Sequence, residues 1–363
     1  MRSIFLTVAL CLSSFVGLGC AAGSDDDDEC PVGSEGCDCT EGGSCDNGLE
    51  CLSKLCVDPD GGGSGPGPGG GGSGPGGSGG AGGDGGFGPT GGNSPCDEGC
   101  SAIDVLFALD GSGSMAEEIN ALSASQSFAA TISALAGINC GNIQYRIGVT
   151  DDNDGGFLVP GGWPGTKPWF DSTTLDNDTI AQAFTGAANQ VVAGSGTAVG
   201  CEHVLSSSVT LLNNDDTGFL RPEALLVLIL VTDVDDYGAY DNIAGNSCGL
   251  GCNVSGQPVQ TLYDTLVVLK GNEPTAVATV VVAGDPNIAG GVNFCNQPGT
   301  CCAGGIDCQV FHGTRLWEFA EMQEGTNGYT QNLCGGAQSV PTAVQTAFED
   351  NIDLACQGFE PPQ

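Results

Sequence analysis

Positive charge is nearly missing from this 363-residue chain: 7 Lys and Arg stand against 44 Asp and Glu, for a formal net charge of -37. A surface of that sign repels phosphate backbones and anionic headgroups, which excludes nucleic acid as a partner and leaves a lipid anchor as the route to a membrane. Histidine is almost as scarce, with only His203 and His312. His-Glu-x-x-His and a Walker lysine are absent, and Gly-x-Ser-x-Gly, present at 76–80 and 245–249, nowhere follows an apolar strand as a nucleophile elbow. The common hydrolase and nucleotide chemistries thus lack their base, their nucleophile turn or their phosphate cradle, and the chain reads as non-enzymatic. Long apolar runs are few. After Ile4 to Leu18 the strongest is Leu225 to Val231, too short to cross a bilayer and suited to a strand buried on both faces.

Cysteine, by contrast, is abundant: 20 residues, far too many for a reduced cytosolic protein. The N-terminus supplies the matching compartment. Arg2 and the apolar stretch Ile4 to Leu18 read as an export signal over residues 1–19. It ends in Gly17-Leu18-Gly19-Cys20, which resembles the lipobox of bacterial lipoproteins, where the Cys is lipidated and becomes the first mature residue. Gly17 stands where that motif usually has Leu, and ordinary cleavage nearby is the alternative. The expected location is the cell envelope, as an outer-membrane-anchored lipoprotein or an otherwise secreted protein. With Cys11 removed in the signal and Cys20 set aside, the remaining cysteines are even in number and can pair completely.

Composition then divides the chain. Residues 20–29 are an anchor and acidic tether containing Asp25-Asp26-Asp27-Asp28-Glu29. Residues 30–58 hold Cys30, Cys37, Cys39, Cys45, Cys51 and Cys56 with almost no apolar residues, so disulfides must replace a core there; a zinc site is the competing reading, without a histidine nearby. Residues 59–95 are nearly all Gly, Ser and Pro, a flexible linker with an end-to-end distance of roughly 30–35 Å. From 96 to 358 apolar strands alternate with amphipathic helices, the signature of an α/β domain with a doubly wound, mainly parallel sheet, and 359–363 form a tail. Strands are expected at 102–109, 143–150, 225–232, 276–283 and 327–333. Helices are expected at 115–136, 179–192, 197–212, 257–270, 314–324 and 340–356.

The most informative stretch is Asp104-Val-Leu-Phe-Ala-Leu-Asp110-Gly-Ser112-Gly-Ser114-Met115, an apolar strand running straight into Asp-x-Ser-x-Ser. Alternate residues of such a loop aim one carboxylate and two hydroxyls at a common point, an oxygen set that suits a hard cation. Taken alone the motif also fits a capped helix start. Downstream, Gly196-Thr197-Ala198-Val199-Gly200 opens a helix, and Leu225 to Val231 runs into Thr232-Asp233. Together these features resemble the von Willebrand factor type A (vWA) family over roughly residues 101–358, and Gly218-Phe-Leu-Arg-Pro-Glu-Ala224 is similar to a bacterial secreted branch of it. The resemblance implies a Rossmann-like fold and a metal-ion-dependent adhesion site. Asp110, Ser112, Ser114, Thr197 and Asp233 would be its metal residues, with Mg²⁺, Ca²⁺ or Mn²⁺ as the ion and one position open to an Asp or Glu carboxylate of a protein partner. It also implies that the domain's termini lie close, so that Cys96 or Cys100 can pair with Cys356.

The sequence departs from the family after Asp233. Where many relatives have Thr-Asp-Gly, it has Asp233-Val234-Asp235-Asp236, and Asp235 and Asp236 read either as an accessory ion site or as a solvated acidic loop. Asp151-Asp152-Asn153-Asp154-Gly155 has a superficial likeness to a calcium loop without its closing Glu. His203 reads as a helix-surface residue, and Cys295, Cys301, Cys302 and Cys308 staple an insertion. Two functions stay open: metal-dependent adhesion or protein binding, and a non-catalytic structural lipoprotein whose fold holds no metal.

Overall fold

The structure is a computed structural model that describes residues 50–52, 55–57, 99–152, 156–194, 202–237, 256–288, 290–292, 298–300, 310–359 and 361. The chain divides into two units, residues 1–83 and 84–363. In the first, β1 (Glu50–Leu52) and β2 (Leu55–Val57) pair antiparallel with Cys51 opposite Cys56. The signal segment, Cys20, the acidic tether and the glycine-rich linker lie outside the described residues.

The second unit is built on a six-stranded sheet. Its strands are β3 (Ala102–Leu109), β4 (Gln144–Thr150), β5 (Phe170–Asp171), β6 (Leu225–Val231), β7 (Val277–Ala283) and, after the short pair β8 (Gly291–Val292) and β9 (Pro298–Gly299), β10 (Gly328–Asn332). The order across the sheet is β10-β7-β6-β3-β4-β5, with every pairing parallel except β4 with β5. This is the doubly wound arrangement expected from the alternation of strands and helices. Its order reverses beside β3, where such sheets open a crevice at the carboxyl ends of the strands.

The uninterrupted apolar runs follow from burial on both faces. In β3, Ile103, Val105, Phe107 and Leu109 face one core while Leu106 and Ala108 face the other; β6 divides the same way, Val227 and Ile229 against Leu226 and Leu228. The first core is closed by α1 (Ala116–Ser123), α2 (Ser125–Gly137) and α3 (Asn177–Gly194), with Phe128 stacked on Phe184 at 3.5 Å and Phe107 edge-on to both. The second holds residues of α4 (Val204–Asn213), α5 (Val259–Leu269) and α6 (Thr314–Glu321). The expected helix 115–136 is broken at Ala124, with a 63° bend. There the Ser123 carbonyl accepts the Thr185 hydroxyl at 2.7 Å, a sideways bond from α3 that periodicity does not reveal. The last expected helix is also segmented, into α7 (Ser339–Ala347), a π-turn at Phe348–Ile352, and α8 (Asp353–Gln357).

The two ends of the domain are tied by a Cys100–Cys356 disulfide and by the Cys100 amide donating to the Cys356 carbonyl at 2.8 Å. At the edge of the sheet away from the strands' carboxyl ends, an ion network explains the Arg-Pro run before β6. Asp104, fully buried in β3, accepts the Arg221 amide at 2.7 Å and its Nε at 2.8 Å, and Lys270 donates to the Arg221 and Pro222 carbonyls. Arg146 reaches the Gly218 and Phe219 carbonyls and Lys167 the Thr217 carbonyl, so three cations hold residues 217–222 while Arg221, within the segment, reaches back to the Ile103 carbonyl.

Burial pushes the Lys270 ammonium down to about 8, against the pull of Asp104. The unfolded chain therefore keeps a proton that the folded one has released between about pH 8 and 10.5, and stability rises with pH there. Burial pushes the Tyr145 phenol up to about 12, which reverses the slope above pH 10. Denaturant titrations are expected to show a gain of about 2–3 kcal/mol from pH 8 to 10 in the wild type. Lys270→Met is expected to remove most of that gain; an unchanged slope in the variant would assign it elsewhere.

Candidate metal centre

The site lies at the carboxyl ends of β3 and β6, where both strands stop being strands for a stated reason. Past Leu109 the Asp110 amide still donates to the Val231 carbonyl at 3.0 Å, keeping the two ends side by side. The Asp110 side chain then turns the loop: Oδ1 accepts the Ser112 amide at 2.7 Å and Oδ2 accepts the Thr232 hydroxyl at 2.8 Å. That second bond joins the Asp-x-Ser-x-Ser loop to the Thr-Asp loop directly. Ser112 and Ser114, both on the accessible side, have hydroxyls 2.8 Å apart, and a one-turn 3₁₀ segment at Gly113–Met115 leads into α1. Asp233 completes the group, its carboxyl within hydrogen-bonding reach of Ser114 and Asp110.

Four of the five expected metal residues, Asp110, Ser112, Ser114 and Asp233, thus come together. Thr197 lies outside the described residues. Among the described residues no three His, Cys, Asp or Glu side chains converge as an ion cage of their own; the donors present are two carboxylates and two hydroxyls. Electrostatics supply the test of whether a cation fits. Burial raises the Asp110 carboxyl well above its ordinary range, and neighbouring Asp233 and Asp152 raise it further against the bonds from Ser112. Burial likewise pushes Asp233 up to about 6, with Glu202 and Glu118 adding to the rise. Burial and like charge, not a Lys or Arg, dominate the surroundings of Asp110 and Asp233, and acids so raised beside an all-oxygen donor set fit a hard divalent ion.

Asp152, Glu118 and Glu202 carry this field and were not assigned to the site from the sequence. Asp152 had a readable signal, since it follows β4 at the same end of the sheet. Glu118 lies four residues beyond Ser114, hence one turn further along the same helical side. Glu202, almost fully buried, offered none.

Two expectations need correction. Asp235 and Asp236 do not form a solvated loop: both are buried, and their oxygens are committed to helix N-termini. Asp235 Oδ1 accepts the Arg315 and Leu316 amides of α6 at 3.0 and 3.3 Å, and Asp236 accepts the Ser206 amide and hydroxyl of α4 at 2.8 and 2.6 Å. Unbonded amides at a helix start favour a nearby carboxylate, which accounts for the burial of these two acids. His203 is buried rather than on a helix surface, its ring stacked on Tyr237 at 3.5 Å.

No family model and no curated protein matches the sequence. Among solved structures the chain is similar to a von Willebrand factor type A protein from Catenulispora acidiphila, at 14% identity and a TM-score of 0.35 over 70% of this chain and 43% of that one. It is similar to proximal thread matrix protein 1 from the mussel byssus, at 16% identity and a TM-score of 0.35 over 71% of this chain and 49% of the other. The pilus adhesin SpaC from Lactobacillus rhamnosus GG matches at 16% identity and a TM-score of 0.33 over 69% of this chain and 30% of its own. The chain spans less than half the length of each of these proteins.

Proposed function

We propose that this chain is a vWA-type, metal-dependent protein-binding or adhesion module, exported and held at the cell envelope, with a lipid on Cys20 as its anchor and residues 59–95 as its tether. Asp110, Ser112, Ser114, Thr197 and Asp233 would hold Mg²⁺, Ca²⁺ or Mn²⁺. The ion would supply an electropositive point to which an Asp or Glu carboxylate of a partner protein coordinates. The module is not an enzyme in this reading, which rests on the sequence carrying neither His-Glu-x-x-His nor a Walker lysine.

The observation that carries the proposal is the meeting of Asp110 and Asp233 with the Ser112 and Ser114 hydroxyls at the carboxyl ends of β3 and β6, where burial and neighbouring acids raise both carboxyls. Calorimetric titration of the full chain with Mg²⁺, Mn²⁺ and Ca²⁺ is expected to give one saturable site, removed by chelator. Heat traces that never saturate for any of the three would instead favour a structural lipoprotein that holds no metal.

A further inference from the structure

The acidic Val234-Asp235-Asp236 continuation lies beyond the ligand set, yet it is where the loop carrying Asp233 is most heavily bonded. Asp236 is fully buried and places one carboxylate oxygen on the Ser206 amide and the other on the Ser206 hydroxyl. Its own amide donates to Asp235 Oδ1 at 3.0 Å, and Asp235 is in turn fastened to the first turn of α6. Arg315 adds its Nε to the Asp236 carbonyl and its Nη2 to the Gln257 carbonyl. On the other side of the loop, the Phe311 amide donates to the Asp233 carbonyl at 2.8 Å.

These bonds have a direction. Ser206 sits in the first turn of α4, and the stack of His203 on Tyr237 joins the same two stretches again one residue further on. Tyr237 has φ +55°, a left-handed conformation that a bulky residue adopts only where its surroundings impose it. A solubility role would leave two aspartates on the surface, and a single helix cap would need one. Two successive buried aspartates, each on a different helix, fix the distance between those helices.

We propose that Asp236, assisted by Asp235, is a positioning residue: it fastens the loop carrying Asp233 to the starts of α4 and α6, so that Asp233 is held in one geometry beside Asp110 and Ser114. The proposal rests on the metal-dependent reading above. Partners that orient metal ligands from behind typically change affinity by about 10–100-fold when removed.

The test uses the full chain, Mg²⁺ as the probe and two readouts, calorimetric affinity and melting temperature in chelator. Asp236→Ala is expected to weaken Mg²⁺ binding by about 10–100-fold. Asp236→Asn, which keeps one acceptor, should recover part of that loss, and Ser206→Ala, which keeps the backbone bond, should fall between; Ser206→Ala decides the matter if Asp236→Ala does not fold. Asp176→Ala removes an exposed cap on α3, where Asp176 accepts the Thr179 amide at 2.8 Å, and should lower the melting temperature without changing Mg²⁺ affinity. Unchanged affinity in Asp236→Ala and Ser206→Ala, or an equal loss in Asp176→Ala, overturns the positioning role alone. A wild-type chain that takes up no cation overturns the metal reading and this inference together.

Discussion

Asp110→Asn is expected to abolish the rise in melting temperature that divalent cations give the wild type, while leaving the chelated protein at least as stable. The two halves of this result have the same cause. Asp110 is fully buried beside Asp233 and Asp152, and without a cation its charge is opposed by burial and by both neighbours. Asparagine keeps an acceptor for the Ser112 amide or the Thr232 hydroxyl and removes the charge, so the chelated protein loses a repulsion and little bonding. In a hundredfold excess over its dissociation constant, an ion that binds only the folded state stabilises by about 2.7 kcal/mol. That corresponds to a shift of about 5–10 °C for a domain of this size. Differential scanning fluorimetry with and without Mg²⁺ reads both halves. A variant that keeps the cation-induced shift would remove Asp110 from the site.

The largest loss of stability is expected from the Cys100→Ser, Cys356→Ser double variant. The bridge closes a loop with a sequence separation of 256 residues, nearly the whole α/β unit. In the chain-entropy account its removal costs about 5 kcal/mol, an upper figure, by freeing the unfolded chain. The expected fall in melting temperature is about 10–20 °C. The backbone bond between Cys100 and Cys356 stays available, so the folded sheet and the Asp110 loop should retain their arrangement, and Mg²⁺ affinity measured well below the transition should be unchanged. A drop of only a degree or two would show that the packing of α8 and Phe359 against the core already holds the ends together.

These two predictions draw on parts of the molecule that were legible to different degrees. The long strands could be read almost to the residue, because β3, β6 and β7 are buried on both faces and their apolar runs end where the sheet ends. The two-residue β5 could not be read, since its pairing with β4 depends on tertiary contacts and not on a pattern of its own. That Asp110, Ser112, Ser114 and Asp233 come together was legible because the loops carrying them leave the ends of two apolar strands, β3 and β6. The identity of the Cys100 bridge needed the fold, as Cys96 and Cys100 both precede β3 by only a few residues. Asp235 and Asp236 show the limit most clearly. Adjacent acids read as surface or as ligands, and only the approach of α4 and α6, from residues about 30 before and 80 after, turns them into buried caps.

The placement of the basic residues has a consequence for how copies of this molecule meet one another in solution. All five Lys and Arg of the α/β unit, Arg146, Lys167, Arg221, Lys270 and Arg315, direct donors to carbonyl oxygens of their own backbone. Neighbouring copies accordingly find few cationic handles on one another and keep apart at low ionic strength, each drawing a cloud of small counterions from the medium. Such a cloud is richer in divalent ions than the bulk medium, and rising salt would thin it.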